Sequence, residues 1–278
     1  MSALSSSCPP AAARAQICVL GPLRAWRADG SVVESREWRT GKTMDLVRLL
    51  ALRAGQPVPG RILMAALWPS SELPRAQASL RTAASQIRRT LGHDCLQRSI
   101  AGLSLHDVWV DAVLFQALAA EVHTLLGLGL AARANECARQ ADALYCEDLR
   151  AHDEAADWAV TERDRLAVIH QELLVDAADA ALHDGSFALA VDYSTRALQV
   201  NPFSERACRA LMRAHAELGE TSQALCSFER IRTVLAEELG ADPSPETRAA
   251  HLTILQGRPF TPETAAAPLA GTSARLVG

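Results

Sequence analysis

The sequence predicts two domains of different class. The first is an α+β domain with a short N-terminal sheet, and the second is an all-α domain of repeated helical hairpins. Three observations carry this. The apolar period changes at Thr40 from short strand-like alternation to helical spacing. The charge divides: residues 1–106 hold 14 Lys and Arg against 6 Asp and Glu, and residues 107–278 hold 14 against 26. From Val110 onward, small residues recur at a spacing of 34.

At 278 residues there is room for two cores. Apolar residues make up 49% and aromatics only 4%, a composition suited to closely packed helices. No apolar run approaches the roughly 20 residues that span a bilayer. The start, MSALSSSCPPAAARAQ, lacks a basic then apolar signal, so no membrane partner is expected and the setting is cytoplasmic, at the nucleoid. The seven cysteines are odd in number, scattered and free of C-x-x-C, which reads as reduced thiols.

Residues 1–15 are Ser, Ala and Pro without apolar period and read as a disordered tail; residues 258–278 read the same way. QICVLGPLRAWRADGSVVESREW reads as two or three short strands, with Asp29-Gly30 as a hairpin signal. A first helix follows Thr40, with Met44, Val47, Leu50 and Ala51 on one face, and Gly55 stops it. RILMAALW is a second, short helix ending at Trp68-Pro69. The third runs PRAQASLRTAASQIRRTL to Gly92. CLQRSIAGLSLHDVWVD reads as a hairpin around Ala101-Gly102. Strands, three helices and a hairpin over residues 16–108 resemble a winged helix-turn-helix DNA-binding domain.

The third helix carries the chemistry. Its apolar stripe reads as Leu73, Leu80, Ala84, Ile87 and Leu91. Its outer face reads as Arg75, Arg81, Thr82, Ser85, Gln86, Arg88 and Arg89, and no carboxylate lies between Leu73 and Leu91. An ordinary surface helix mixes signs. Four arginines without a carboxylate suit phosphates instead, and Arg and Gln forks match guanine and adenine edges. Arg81, Thr82, Ser85 and Gln86 are the candidates for base contact. Arg75, Arg88, Arg89 and, on the hairpin, Arg98 are the candidates for phosphate contact. The competing reading is a solvated basic face.

Residues 111–257 read as nearly all helix, in segments near 111–126, 129–146, 152–183, 186–200, 203–218, 221–239 and 244–256. A shift of 34 places Gly185 on Gly219, Ala190 on Ala224 and Ala197 on Ile231. Thirty-four is the tetratricopeptide period, so stacked helical hairpins are expected. Ala134 and Ala141 repeat the seven-residue spacing of Ala190 and Ala197 at an irregular distance. Such arrays bind proteins. His170, His183 and His215 lie on separate helices with no H-x-x-x-H pair, so no metal site is read.

With both halves assembled, the chain resembles the Streptomyces antibiotic regulatory protein family over about residues 16–257. These are transcriptional activators that join a winged helix-turn-helix to a helical bacterial transcriptional activation domain. VLGPLRAWRADG looks like the family's opening strands, and QASLRTAASQIRRTLG like its recognition helix. The run from FSERACRALMRAHAELG to EELGADPSPETRAAH looks like the end of its activation domain. Leu103 after Gly102, and Ala83 and Ala84 inside the third helix, stand where many members carry aromatics. A single Lys against 27 Arg fits a GC-rich genome. The resemblance implies activation of a secondary-metabolite gene cluster and binding to direct repeats near promoters. It also implies recruitment of RNA polymerase and head-to-tail placement of two protomers on DNA.

Other functions find little support. There is no G-x-S-x-G or H-E-x-x-H, so no enzyme and no cofactor is expected. Thr40-Gly41-Lys42-Thr43 ends like a phosphate loop, but G-x-x-x-x-G-K-[ST] needs Gly at 36, where Arg36 stands. TGKT therefore reads as a helix start, with Lys42 a further candidate for a DNA phosphate. A protein-binding scaffold without specific DNA recognition is the alternative function.

Overall fold

The computed structural model describes residues 14–260. The two tails expected at 1–15 and 258–278 therefore lie almost wholly outside the described residues. Strands β1 (Ala15–Cys18), β2 (Arg24–Trp26) and β5 (Val108–Val110) form one sheet, in the order β2-β1-β5. β1 pairs antiparallel with β2 and parallel with β5. The Asp29-Gly30 signal does make a turn: Gly30 donates to the Arg27 carbonyl, and Ser31 N–H to the Asp29 carboxylate at 2.9 Å. Its return leg is only a single bridge, Trp26 to Val32.

Helix α1 (Gly41–Ala51) starts where TGKT predicts, with Thr40 Oγ1 accepting from Thr43 N–H at 3.2 Å. Helices α2 (Gly60–Leu67) and α3 (Leu73–Leu91) follow, with Pro74 in the first turn of α3. Strands β3 (Leu96–Arg98) and β4 (Leu103–Leu105) form the expected hairpin. The core beneath these elements includes Ile17, Trp38, Leu46, Leu50, Leu63, Ile87 and Leu96.

The all-α part contains α4 (Asp111–Gly127), α5 (Ala131–Leu144), α6 (Asp157–His183), α7 (Phe187–Val200), α8 (Glu205–Glu217), α9 (Thr221–Leu239) and α10 (Pro245–Leu255). The chain groups into two compact units. One holds residues up to Ala120 together with Cys137–Leu173; the other holds Glu121–Glu136 and residues from Leu174 onward.

Within the first unit, His152 and Asp153 lie against the first turns of α1. Its Asp45 is fully buried and accepts from Arg48 at 3.2 Å and from His152 N–H at 2.9 Å. Arg53 pairs with Glu162 at 3.0 Å. Asp111, also buried, accepts from the N–H groups of Val19, Leu20 and Ala112 at 2.7–3.0 Å. The sequence places a helix start near 152, but α6 begins only at Asp157. The intervening residues form turns, and His152 donates its N–H to Asp45.

The second unit shows the 34-residue repeat directly. Ser186 N–H donates to the Ala181 carbonyl and Glu220 N–H to the His215 carbonyl, each at 2.8 Å. Gly185 and Gly219 take φ of +76° and +78°, the left-handed conformation that closes such a turn. The matched Ala178 and Met212, Ala190 and Ala224, and Ala197 and Ile231 are all buried. The α8–α9–α10 core holds Cys208, Met212, Phe228, Ile231, Leu235 and Ile254. Glu205 accepts from the N–H and hydroxyl of Ser244 at 2.8 and 2.7 Å, which fixes the start of α10. Phe228 stacks on His251 at 3.8 Å.

Candidate nucleic-acid interface

α3 is amphipathic, but its buried stripe is rotated from the expected one. Ala76, Ala83, Ile87 and Thr90 are buried, at spacings of seven, four and three, joined by Ala84 and Leu91. Leu73, in the first turn, is exposed, and Leu80 is half-buried. The burial of Ala83 and Ala84 explains why small residues stand there: α3 packs against both α1 and α2.

The rotation sorts the predicted residues. Arg75, Arg81, Thr82, Ser85 and Arg89 are exposed on α3, and Arg98 is exposed on β3. Arg75, Arg81 and Arg98 carry no ion pair among the described residues. Thr82 donates its hydroxyl to the Ala78 carbonyl at 3.0 Å, and Arg89 reaches Ser85 Oγ at 3.3 Å. These side chains leave their other donors and acceptors at the surface. Asp94 is the only carboxylate between Leu73 and His106.

Three of the predicted side chains are placed otherwise than the helical period suggests, each held by a partner within the fold. Gln86 does not face outward. It is buried, and its amide donates to the Glu37 carbonyl at 2.7 Å and to Thr90 Oγ1 at 3.3 Å. Arg88 is half-buried and donates Nε to the Leu96 carbonyl at 3.1 Å, tying α3 to the hairpin. Lys42 is half-buried and pairs with Asp153 at 3.7 Å, while the His152 ring lies over Gly41. The N-terminus of α1 is therefore covered by residues 152–153, and the fragment that looks like a phosphate loop meets a carboxylate instead.

Glu37, which receives Gln86, is itself fixed. Its carboxylate accepts the Glu34 N–H at 2.9 Å and pairs with Arg27, and these hold its carboxyl below the usual range. Arg27 also donates Nε to the Thr90 carbonyl at 2.7 Å. A polar brace thus sets α3 against the 3-10 turn Ser35–Trp38.

α3 and the hairpin enclose an open cleft of about 510 Å³. Gln77, Arg81 and Arg88 stand on one wall, and Arg98, Ser99 and Ile100 on the other. Gln77 and Ile100 were not singled out from the sequence. Gln77 is exposed, four residues before Arg81 and so on the same helical face. That spacing was the available signal, and it ranks Gln77 above Gln86 as the amide able to reach a ligand. Of the histidines considered for metal, His170 stacks on Tyr145 and His215 hydrogen-bonds Glu220. Among the described residues no three metal-ligating side chains cluster. No described helix is long and apolar enough to cross a membrane.

Comparisons with known proteins place this architecture. The profile of the bacterial transcriptional activator domain matches residues 110–255, just over half of the chain. The regulatory protein AfsR of Streptomyces coelicolor is 31% identical over 263 residues, covering 93% of this chain and 26% of AfsR. The regulatory protein DnrI of Streptomyces peucetius is 29% identical, covering 88% of this chain and 93% of DnrI. The chain thus spans about a quarter of AfsR and nearly all of DnrI. Mycobacterium tuberculosis EmbR, solved with a low-affinity phosphopeptide, superposes with a TM-score of 0.77 at 23% identity, over 89% of this chain and 66% of that one. That likeness shows a shared, mostly helical, tetratricopeptide-like fold with a small strand region at the N-terminus. The chain belongs to the bacterial transcriptional activator domain family, and it is similar over most of its length to the regulatory proteins AfsR and DnrI.

Proposed function

We propose that this chain is a sequence-specific DNA-binding transcriptional activator, in which α1–α3 and the β3–β4 hairpin work as a winged helix-turn-helix. The observation that carries the reading is the outer face of α3 with the adjoining hairpin. Arg75, Arg81, Arg89 and Arg98 are exposed there, together with Gln77, Thr82 and Ser85, and neither α3 nor the β3–β4 hairpin itself carries a carboxylate. A helix of about 10–12 Å diameter fits the major groove, about 12 Å wide. Arginines at its rim release counterions from phosphates. Arg81, Gln77 and Ser85 are the base-contact candidates; Arg75, Arg89 and Arg98 are the phosphate candidates.

The regulators AfsR and DnrI support a role in secondary-metabolite gene control. In this reading two protomers bind direct repeats head to tail, and the acidic helical part, repelled by DNA, engages RNA polymerase.

Selection of bound duplexes from a random library, followed by titration at several salt concentrations, tests the proposal. A recurrent, repeated motif is expected. Arg81→Ala should weaken binding to it and lower the salt slope by about one. A chain that retains no duplex at low salt, or an Arg81→Ala variant that binds unchanged, overturns the reading.

A further inference from the structure

Helix α10 opens the repeat pattern once more and leaves it uncovered. Ser204 and Ser244 cap α8 and α10 alike: each hydroxyl oxygen accepts an N–H at 3.4 Å three residues on, from Ala207 and from Thr247. That alignment sets Leu252 of α10 on Met212 of α8. Met212 is wholly buried, in a core shared with Phe228 and Ile231 of α9, whereas Leu252 is 51% exposed. The turn after α10 also follows the pattern. Arg258 N–H donates to the Thr253 carbonyl at 3.1 Å and Gly257 takes φ +60°, as at the turns of Gly185 and Gly219. Among the described residues, no further helix lies over the outer face of α10.

That outer face is apolar. Pro245, Ala249, Leu252 and Leu255 are exposed, and at about 3.6 residues per turn they share one side, opposite the buried Thr247 and Ile254. The terminal helix of a repeat array ordinarily turns a polar face to water, which keeps the array soluble. The ends of this face are charged with opposite sign. Glu246 stands six residues before Leu252 and Arg258 six after it. Both are exposed and carry no ion pair among the described residues. Ala249 and Leu255 stand three residues before and after the same point. The face is therefore complementary to itself when reversed.

We propose that the outer face of α10 binds a second copy of this chain, the two α10 helices lying antiparallel across a two-fold axis at Leu252. Such a contact is isologous, with one patch serving both partners. Leu252 meets its own copy, and the small Ala249 receives the partner's Leu255. Glu246 pairs with the partner's Arg258, twice by symmetry. The antiparallel helices also set their opposite dipole ends together. The 11 residues of α10 span about 16 Å, so this helix alone covers less than the roughly 800 Å² per partner of a stable complex. The pairing is therefore weak and concentration-dependent. It is a different contact from head-to-tail placement on direct repeats, which joins two unlike patches, and it stands independently of the DNA-binding reading.

The test is sedimentation velocity on the full chain, without DNA, over a wide range of concentration. A reversible monomer–dimer equilibrium is expected. Leu252→Lys sets two like charges on the axis and should leave only monomer. Because Leu252 is exposed, the urea midpoint of that variant should equal the parent's at concentrations where the parent is monomeric. Glu246→Arg and Arg258→Glu should each weaken the dimer about tenfold, since two ion pairs become two repulsions. Mixed in equal amounts, these two variants should recover the parent's affinity, because each chain supplies the charge that the other lacks. A parent chain that stays monomeric throughout overturns the proposal. If Leu252→Lys then also lowers the urea midpoint, residues 261–278 of the same chain cover α10 instead. A dimer that survives Leu252→Lys lies on another surface and overturns it equally. A mixture no tighter than either variant alone overturns the antiparallel arrangement.

Discussion

At the scale of single residues, the candidate site turns on which polar side chains are spent inside the fold. Gln86 is spent: its amide holds the Glu37 carbonyl and Thr90. Gln86→Ala should therefore cost about 1 kcal/mol of stability, because it removes the amide's hydrogen bonds to the Glu37 carbonyl and Thr90 Oγ1. It should shift the urea midpoint and leave base preference unchanged in the selection experiment. Glu205 gives a pH signature. Burial pushes its carboxyl up, but hydrogen bonds from Thr247 and Ser244 outweigh this and hold it below its ordinary 4.5. A depressed carboxyl stabilises the fold above the ordinary range. That contribution fades as pH falls from 4.5 toward the lowered native value. Glu205→Gln should flatten this acid limb in urea titrations followed between pH 5 and the acid transition. The thiols of Cys18, Cys95 and Cys208 are pushed by burial to about 12, 11 and 12. They stay protonated at neutral pH and are poor nucleophiles.

At the scale of elements, α1 and α3 show different degrees of legibility. The start of α1 follows from local sequence, whereas the helix ends at Ala51, a turn before the Gly55 that the sequence marks as its stop. Its surroundings do not follow from local sequence. Nearly every side chain from Thr43 to Ala51 is buried, including the Asp45–Arg48 pair. Removing one partner of a buried pair leaves an uncompensated charge. Asp45→Ala should therefore destabilise by about 3–5 kcal/mol, read as a fall in urea midpoint. In α3 the period was legible, but its phase was off by the width of one residue row. Hydrophobicity alone puts Leu73 in the core and Gln86 at the surface, because it weights Leu above Ala and Gln below Ile. The true stripe passes through Ala76, Ala83 and Thr90, small residues whose burial depends on how closely α1 and α2 approach. The hairpin was legible from Ala101-Gly102, whereas the clamp on Val58 was not.

At the scale of the whole molecule, the charge division between residues 1–106 and the remainder follows the division of labour proposed here, with the basic face for DNA and the acidic remainder for protein. Structurally, residues 137–173 belong to the same compact unit as α1–α3. A chain ended after Val110 would lose Asp111 from the Val19 and Leu20 N–H groups, His152 from Asp45, and Glu162 from Arg53. Such a fragment should unfold at lower urea than the full chain, or without a cooperative transition. An equal midpoint would show that residues 137–173 do not support the basic domain.

The sequence by itself determined the order of elements, the capped start of α1, the hairpin, and the 34-residue repeat with its left-handed glycines. Each of these rests on neighbours within a turn or on a fixed period, so the residues that decide them are close in the chain. Only the tertiary structure decided that Gln86 is buried, that Lys42 meets Asp153, and that Arg88 is a tether. It alone placed Ile100 and three arginines around one cleft. Those outcomes depend on partners up to more than a hundred residues away, whose approach is set by packing, and a single chain's local pattern does not encode which of its polar groups will find them.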